Sequence, residues 1–535
     1  MRLRSNGQVG ISAQQAGTLF GLAAIVVLAI AVRLYGINFS LPYVHHPDEP
    51  TNYNVILGMF HNRDFDPNFF NYPSLPFYIN RISLEAIYAV GNVFGYYENH
   101  GDIKKIELLA MGVGEIRNPA VFLFMRILTV LAGVATVAMV YLCGREVAPS
   151  ESRGRWTGLV GALIVAVSPT LVGNSRYLTP DMWGMLFILA SFWASLRVFR
   201  AGGLKYYIGA GVAAGLAAGA KYVGGLVIVV LPVAHVLRNL DSAAFSWNQL
   251  SIDRRVILAG FLSLLVFVLT TPYAILDAEA FLIGLLSEAR HYATGHSGMD
   301  GKTLLFYSRL LFLTEGPVTA LAFAGLVYGL VVDPKRTVLV CFFPLVYFLM
   351  IVDLPVRNER TLMPVLPFLA ILAARPLVDA VAVVRIRYPG FPAAALPAVV
   401  GLALLVVPAA NTYAGARALT APKPEEAARL WITENLPAGA RVLLESYSPY
   451  VDPARFDVLG VRSMSDPDVA QRIADDPDYL IFSARMYGRY LYDRARYPER
   501  AARYADLFAA YDLVKSFGGG GGEIKIFKSP DPKKS

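Results

Sequence analysis

Apolar runs of about 17 to 25 residues recur from the N-terminus to about residue 411, separated by short polar turns. An α-helix of that length crosses roughly 30 Å of hydrocarbon, and a soluble core has no need of it. The runs predict spans over residues 16 to 36, 119 to 142, 156 to 174, 181 to 199, 205 to 220, 222 to 238, 256 to 275, 317 to 333, 337 to 353, 362 to 381 and 391 to 411, about eleven transmembrane helices. Between Ser74 and Tyr97 the apolar pattern is broken by Asn80, Arg81 and Glu85, which predicts interfacial helices in the first external loop. From about Ala414 the pattern changes to short alternating runs, RVLLES, DYLIFSA and EIKIFKS, between polar helical stretches. That is the pattern of a small soluble α/β domain. The expected division is a membrane domain over residues 1–412 and an extracytoplasmic α/β domain over residues 413–535.

Composition agrees with membrane residence. Of 535 residues, 55% are hydrophobic and 16% charged, and the mean hydropathy is +0.47, which excludes an ordinary soluble chain of this length. The formal charge of +8 is spread between apolar runs and forms no basic block, so nucleic acid is not an expected partner. With a cytoplasmic N-terminus, alternate turns carry Arg145, Arg153 and Arg155; Arg197, Arg200 and Lys205; Arg238, Arg254 and Arg255; Lys335 and Arg336; Arg385 and Arg387. Each such turn is then cytoplasmic, as the positive-inside rule asks, and the C-terminus lies outside the plasma (inner) membrane. The run Gly17 to Ile37 has no A-x-A cleavage site after it and reads as a retained first span. Cys143 and Cys341 lie inside apolar runs and read as packing residues, and the five glycines at 518 to 522 lack a Lys-Ser/Thr ending and read as a turn.

The same topology gathers the chemically useful side chains on the external face. LPYVHHPDEPTNY follows the first span, with Asp48 and Glu49 adjacent, His45 and His46 before them, and Pro47 and Pro50 fixing the backbone around them. Clustered polar groups at a membrane boundary are costly to desolvate and usually face a cavity. Asp48 suits a general base that takes a proton from an attacking hydroxyl. Asp181, in NSRYLTPDMW, is expected on the same face, where it would act with Asp48 or cap its own helix. Two carboxylates there could hold a divalent cation, with Glu288 and His291 of EARHYATGH, and more remotely His296, as further ligands. Arg176, Lys221, Arg357 and Arg360 are the cations available to neutralise a phosphate leaving group.

Taken in order, HPDE, RYLTPD, GLAAGAKY and RNERTLMPVLPFLAILAA resemble the GT-C superfamily of phospholipid-carrier-dependent glycosyltransferases, which includes the protein O-mannosyltransferases and the lipid A aminoarabinose transferase. The resemblance covers roughly residues 15 to 412, and the C-terminal domain is similar to periplasmic domains appended to some members. It implies a GT-C fold and an inverting transfer from a polyprenyl-phosphate sugar to a lipid, glycan or protein hydroxyl. It further implies Asp48 as base with Glu49 its neighbour, Asp181 as the second acidic position, and Lys221 and Arg360 near the carrier phosphate. Asn-Glu-Arg-Thr stands where many relatives have Arg-Tyr, and the histidine is doubled. A transporter or flippase of lipid-linked sugars is the alternative; it predicts intramembrane charges and paired broken helices in two repeated halves. A non-catalytic scaffold displaying the C-terminal domain would leave the acids and cations without a reason.

Overall fold

The computed structural model describes residues 13–44, 46–240, 253–295, 302–387, 395–474 and 477–530. Helical elements stand at each predicted span. Among the described residues seven helices are long and apolar enough to cross a membrane, or eight if the bent pair Thr303–Thr314 and Pro317–Val332 is one span. Glu151–Val167, Leu204–Ala220 and Arg254–Thr270, each of 17 residues, fall just short of that length. The chain is a multi-pass membrane protein. Leu204–Ala220 packs on both Asp181–Ala201 and Arg254–Thr270, so protein on two sides, and not lipid alone, surrounds it. A large apolar core joins Pro119–Val147, Glu151–Val167, Asp181–Ala201 and Leu366–Arg387.

One end of the bundle carries most of the non-spanning structure. Asp48–Asn62 and Leu75–Val93 pack together there. The second is a single helix where interfacial helices were expected, and it exposes Ile82, Val90 and Val93 while Arg81, buried, pairs with Glu85 at 2.6 Å. A three-stranded antiparallel sheet follows the order Tyr43–Val44, Val113–Glu115, Leu108–Ala110. Its register, Tyr43 opposite Glu115 and Val44 opposite Gly114, anchors the chain just ahead of Asp48.

The predicted α/β domain is present. The last membrane helix, Ala395–Thr420, runs through the expected boundary at 412/413, so the soluble unit starts with Pro424–Asn435. Its five-stranded sheet has the order Asp457–Val461, Arg441–Glu445, Tyr479–Ser483, Ile524–Lys528, Asp512–Phe517. The first three are parallel and the last two antiparallel. Three of these strands are the predicted apolar runs; the other two lie at the edges, where burial no longer imposes a strong pattern. The domain docks on the Leu108–Glu115 hairpin: Tyr447 N–H donates to Met111 O at 3.0 Å, and Tyr43 stacks on Tyr450 at 5.2 Å. At Gly460 a Cβ would lie 1.6 Å from the Leu109 carbonyl oxygen, so only glycine permits this approach.

Candidate active site

The site begins with a clamp that holds two distant segments together. Glu49 and Asn52 lie three residues apart on one face of Asp48–Asn62. Glu49 accepts from Leu178 N–H at 2.9 Å, and the Asn52 amide donates to Leu178 O at 2.8 Å. Both polar groups of one backbone residue are thereby satisfied by one helix, which seats the start of that helix beside the start of Asp181–Ala201. Arg126, early in Pro119–Val147, closes the clamp with a bidentate pair to Glu49 at 2.8 and 2.7 Å. Its remaining nitrogen donates to Ile37 O and Phe39 O, and its guanidinium lies 4.0 Å from the Phe39 ring. Glu49 is 0% exposed. Its two oxygens are committed to holding structure, which sets it apart from its neighbour Asp48.

Asp48 is partly exposed and points elsewhere, pairing with Arg360 at 2.6 Å. Its backbone N–H donates to His46 Nδ1 at 3.2 Å. The His46 ring also lies tilted against the Tyr177 ring at 4.4 Å, and burial lowers the pKa of its imidazole below the ordinary value, so it accepts as a neutral ring. Arg360 sits in the short helix Glu359–Leu362, which Asn358 caps by accepting from Thr361 N–H at 2.9 Å. The same guanidinium lies 4.0 Å from Asp181. Asp181 heads its helix, yet Pro180 occupies the cap position and no side chain caps the helix; the Asp181 carboxylate instead pairs with Lys221. Lys221 is set at the break between Leu204–Ala220 and the 3-10 helix Tyr222–Val229, in extended backbone.

Four segments, separated by up to 312 residues, thus contribute one alternating network: Asp48, Arg360, Asp181, Lys221. Below Asp181, Lys221 and Arg360 the floor is apolar, formed by Met185, Ile188, Met363 and Pro364 around a space of about 10 Å³. Along the side runs Ala278–Thr294, which exposes Leu282, Ile283 and Leu286 and buries Phe281. Burial raises the Glu288 carboxyl above the usual carboxylate range, and His291, Asn71 and Lys221 pull it back. Asn71 donates to Glu288 at 3.4 Å.

Of the expected residues, the structure gathers Asp48, Asp181, Lys221 and Arg360, with Glu288 beside them. Glu49 turns to Arg126. Arg176 is 1% exposed and spends its donors on Arg33 O and Val32 O, closing the end of the first helix. Arg357 lies over the Phe306 ring at 5.7 Å. His291 sits on the same helix as Glu288, one turn on; His45 and His296 lie outside the described residues. Among the described residues no three His, Cys, Asp or Glu side chains form a group that could hold a metal ion. Asp48 and Asp181 each face a cation. Arg126 and Tyr72 were missed in the sequence. An arginine eight positions into an apolar helix is itself a signal, because such a charge must be paired. Tyr72 carries no such mark; burial pushes its phenol well above its ordinary value, with Asp48, Arg360, Asp181 and Glu288 acting on it.

Comparison with known proteins bears on the fold that carries these residues. Residues 110–280, which include Asp181 and Lys221, match the family model for dolichyl-phosphate-mannose-protein mannosyltransferase. The crystal structure of ArnT from Cupriavidus metallidurans bound to undecaprenyl phosphate aligns over 97% of this chain and 99% of that one, with a TM-score of 0.52 at 14% identity. The Saccharomyces cerevisiae protein O-mannosyltransferase Pmt1-Pmt2 complex bound to the sugar donor aligns over 52% of this chain and 35% of that one, with a TM-score of 0.35 at 19% identity. No curated protein sequence matches the chain.

Proposed function

We propose that this chain, which has the GT-C fold of lipid-carrier-dependent glycosyltransferases, moves a sugar from a polyprenyl-phosphate donor to an acceptor hydroxyl, with inversion, on the extracytoplasmic side. The observation that carries this reading is the network in which Arg360 bridges Asp48 and Asp181 while Lys221 pairs with Asp181. Two cations and two acids at one point supply both halves of the chemistry: a base for the incoming alcohol and positive charge for the departing phosphate.

The donor phosphate draws Arg360 and Lys221 toward itself, which frees the Asp48 carboxylate. The acceptor oxygen attacks the anomeric carbon as the bond from that carbon to the phosphate oxygen breaks. Its proton passes to Asp48, and the electron pair leaves with the phosphate, now a monoester on the carrier. A single in-line displacement inverts the anomeric centre. Asp181 keeps Lys221 oriented, and the apolar flank of Ala278–Thr294 faces the lipid from which the carrier tail would arrive. Support also comes from the residue 110–280 family match and from a near full-length fold shared with a protein bound to undecaprenyl phosphate.

The decisive experiment is transfer by the purified protein from a defined polyprenyl-phosphate sugar. Asp48→Asn should lower turnover by about 10²–10⁴-fold, the range for a lost general base, with folding unchanged; wild-type turnover in that variant rejects the base role. Activity is expected to persist in EDTA, and its loss there, restored by a divalent ion, would add a metal to this scheme.

A further inference from the structure

Besides its own helix and Arg360, Asp48 is held by one further contact, the bond from its backbone N–H to His46 Nδ1 at 3.2 Å. The helix Asp48–Asn62 starts without a side-chain cap, because Pro47 stands at the cap position. Two residues ahead of an N–H, the side-chain oxygen of an Asn, Asp or Ser ordinarily accepts, as in an Asx turn. Here a histidine does so, with the proton of its neutral ring on Nε2. An asparagine would make that bond and lack a second contact. The His46 ring lies against Tyr177 at 4.4 Å, and Phe39 meets Tyr177 edge-on at 5.3 Å. A phenylalanine would pack there and lack the acceptor. Histidine does both.

The ring contact matters because of where Tyr177 sits. Residues 177–180 lead into the helix headed by Asp181. Leu178 is held at both backbone polar groups by Glu49 and Asn52, and Thr179 N–H turns back onto Tyr177 O at 2.9 Å. The segments bearing the two acids are thus tied twice, by backbone bonds at Leu178 and by packed rings at Tyr177. Glu49 and Asn52 fix the body of the Asp48 helix, whereas His46 fixes its first residue. That distinction counts in the reaction proposed above, where Arg360 leaves Asp48 for the donor phosphate. The carboxylate then loses its ion-pair partner and is aimed through its backbone.

We propose that His46 is a positioning residue for the transfer: its Nδ1 fixes the Asp48 backbone, and its ring spaces that backbone from Tyr177 and so from the segment leading to Asp181. The proposal rests on the transferase reading above and adds the group that keeps the base aimed. His46 touches no reacting atom and acts through Asp48. A misplacement of about 1 Å at a reacting group can cost about 10²-fold in rate, so such a contact is felt in turnover.

The test uses the full-length purified protein with a panel of undecaprenyl-phosphate sugars as donors and lipid, glycan and Ser/Thr-peptide hydroxyls as acceptors. His46→Asn keeps the acceptor atom and loses the ring, His46→Phe keeps a ring and loses the acceptor atom, and His46→Ala loses both. In His46→Ala kcat should fall by about 10–10²-fold. KM for the acceptor that the wild type uses, and affinity for undecaprenyl phosphate, should stay within about twofold, as for a group felt only in the transition state. His46→Asn and His46→Phe should each restore part of the loss. In an Asp48→Asn background, His46→Ala should cost no more than about twofold further, because the two residues act as a unit. Wild-type kcat in His46→Ala, full recovery in His46→Asn or His46→Phe, a loss confined to KM, or an undiminished second loss in the Asp48→Asn background each overturns the role. Should His46→Ala not fold, the other two variants decide, and both must fall below the wild type in kcat. Absence of transfer by the wild type from every donor would instead overturn the transferase reading, a result distinct from any difference among the His46 variants.

Discussion

Asp48 and Glu49 are neighbours with opposite fates, and the difference is a matter of solvent. Glu49 is fully buried against Arg126; removing one partner of such a pair leaves an uncompensated charge and costs about 3–5 kcal/mol. Glu49→Gln and Arg126→Met should therefore each lower the thermal unfolding midpoint, and the joint substitution Glu49→Leu with Arg126→Met should recover part of the loss. Asp48 is a partly exposed partner, for which about 1 kcal/mol or less is at stake, so Asp48→Asn should pass the same unfolding assay and fail in turnover. Lys221→Ala should reduce transfer by on the order of 10²-fold, as loss of one charge-stabilising donor does; unchanged donor affinity and turnover would remove Lys221 from the phosphate site. The adjacency of the two acids was legible in the sequence, but their division of labour was not, because it is fixed by Arg126, 77 residues away.

At the scale of elements, the short helix Glu359–Leu362 shows what a motif reading misses. Asn-Glu-Arg-Thr looks like a departure from a family pattern, yet Asn358 is a working N-cap that orients the first turn bearing Arg360. Asn358→Ala should cost about 1 kcal/mol of stability and a disproportionate share of turnover, since the Arg360 fork is pre-set by that turn; a loss of stability with full turnover would contradict this. The span pattern itself was readable, because hydrocarbon imposes length. Leu204–Ala220, packed between two other helices, was read to within one residue, whereas Glu151–Val167 ends seven residues before the predicted 174, where Ser168 caps a new short helix. Arg360 and Asp181 could be placed on one face by counting spans, and the break at Lys221 between the spans at 205 to 220 and 222 to 238 was legible too, whereas the ion pair it makes with Asp181 was not.

The whole molecule adds a pH response that belongs to the soluble domain. Glu445, at the end of a central strand, is fully buried and accepts from Met464 N–H, Ser483 N–H and the Tyr504 hydroxyl. Burial pushes its carboxyl up to about 8, well above the value near 4.3 expected in the unfolded chain. Folding therefore favours the protonated form. Its stabilising contribution is complete below the unfolded pKa and is lost as pH rises through about 8. Hydrogen exchange in the full-length protein should show the strands around Glu445 opening more readily at pH 9 than at pH 5, and Glu445→Gln should flatten that trend. Gly460→Val, which drives a side chain into the Leu109 carbonyl, should release the domain from the hairpin.

That hairpin has a mechanical meaning. It pairs with Tyr43–Val44, four residues ahead of Asp48, so the C-terminal domain and the segment that carries the proposed base are fastened to one sheet. A substitution that loosens the domain, such as Gly460→Val, is therefore expected to disturb the backbone ahead of Asp48 as well as the hairpin itself.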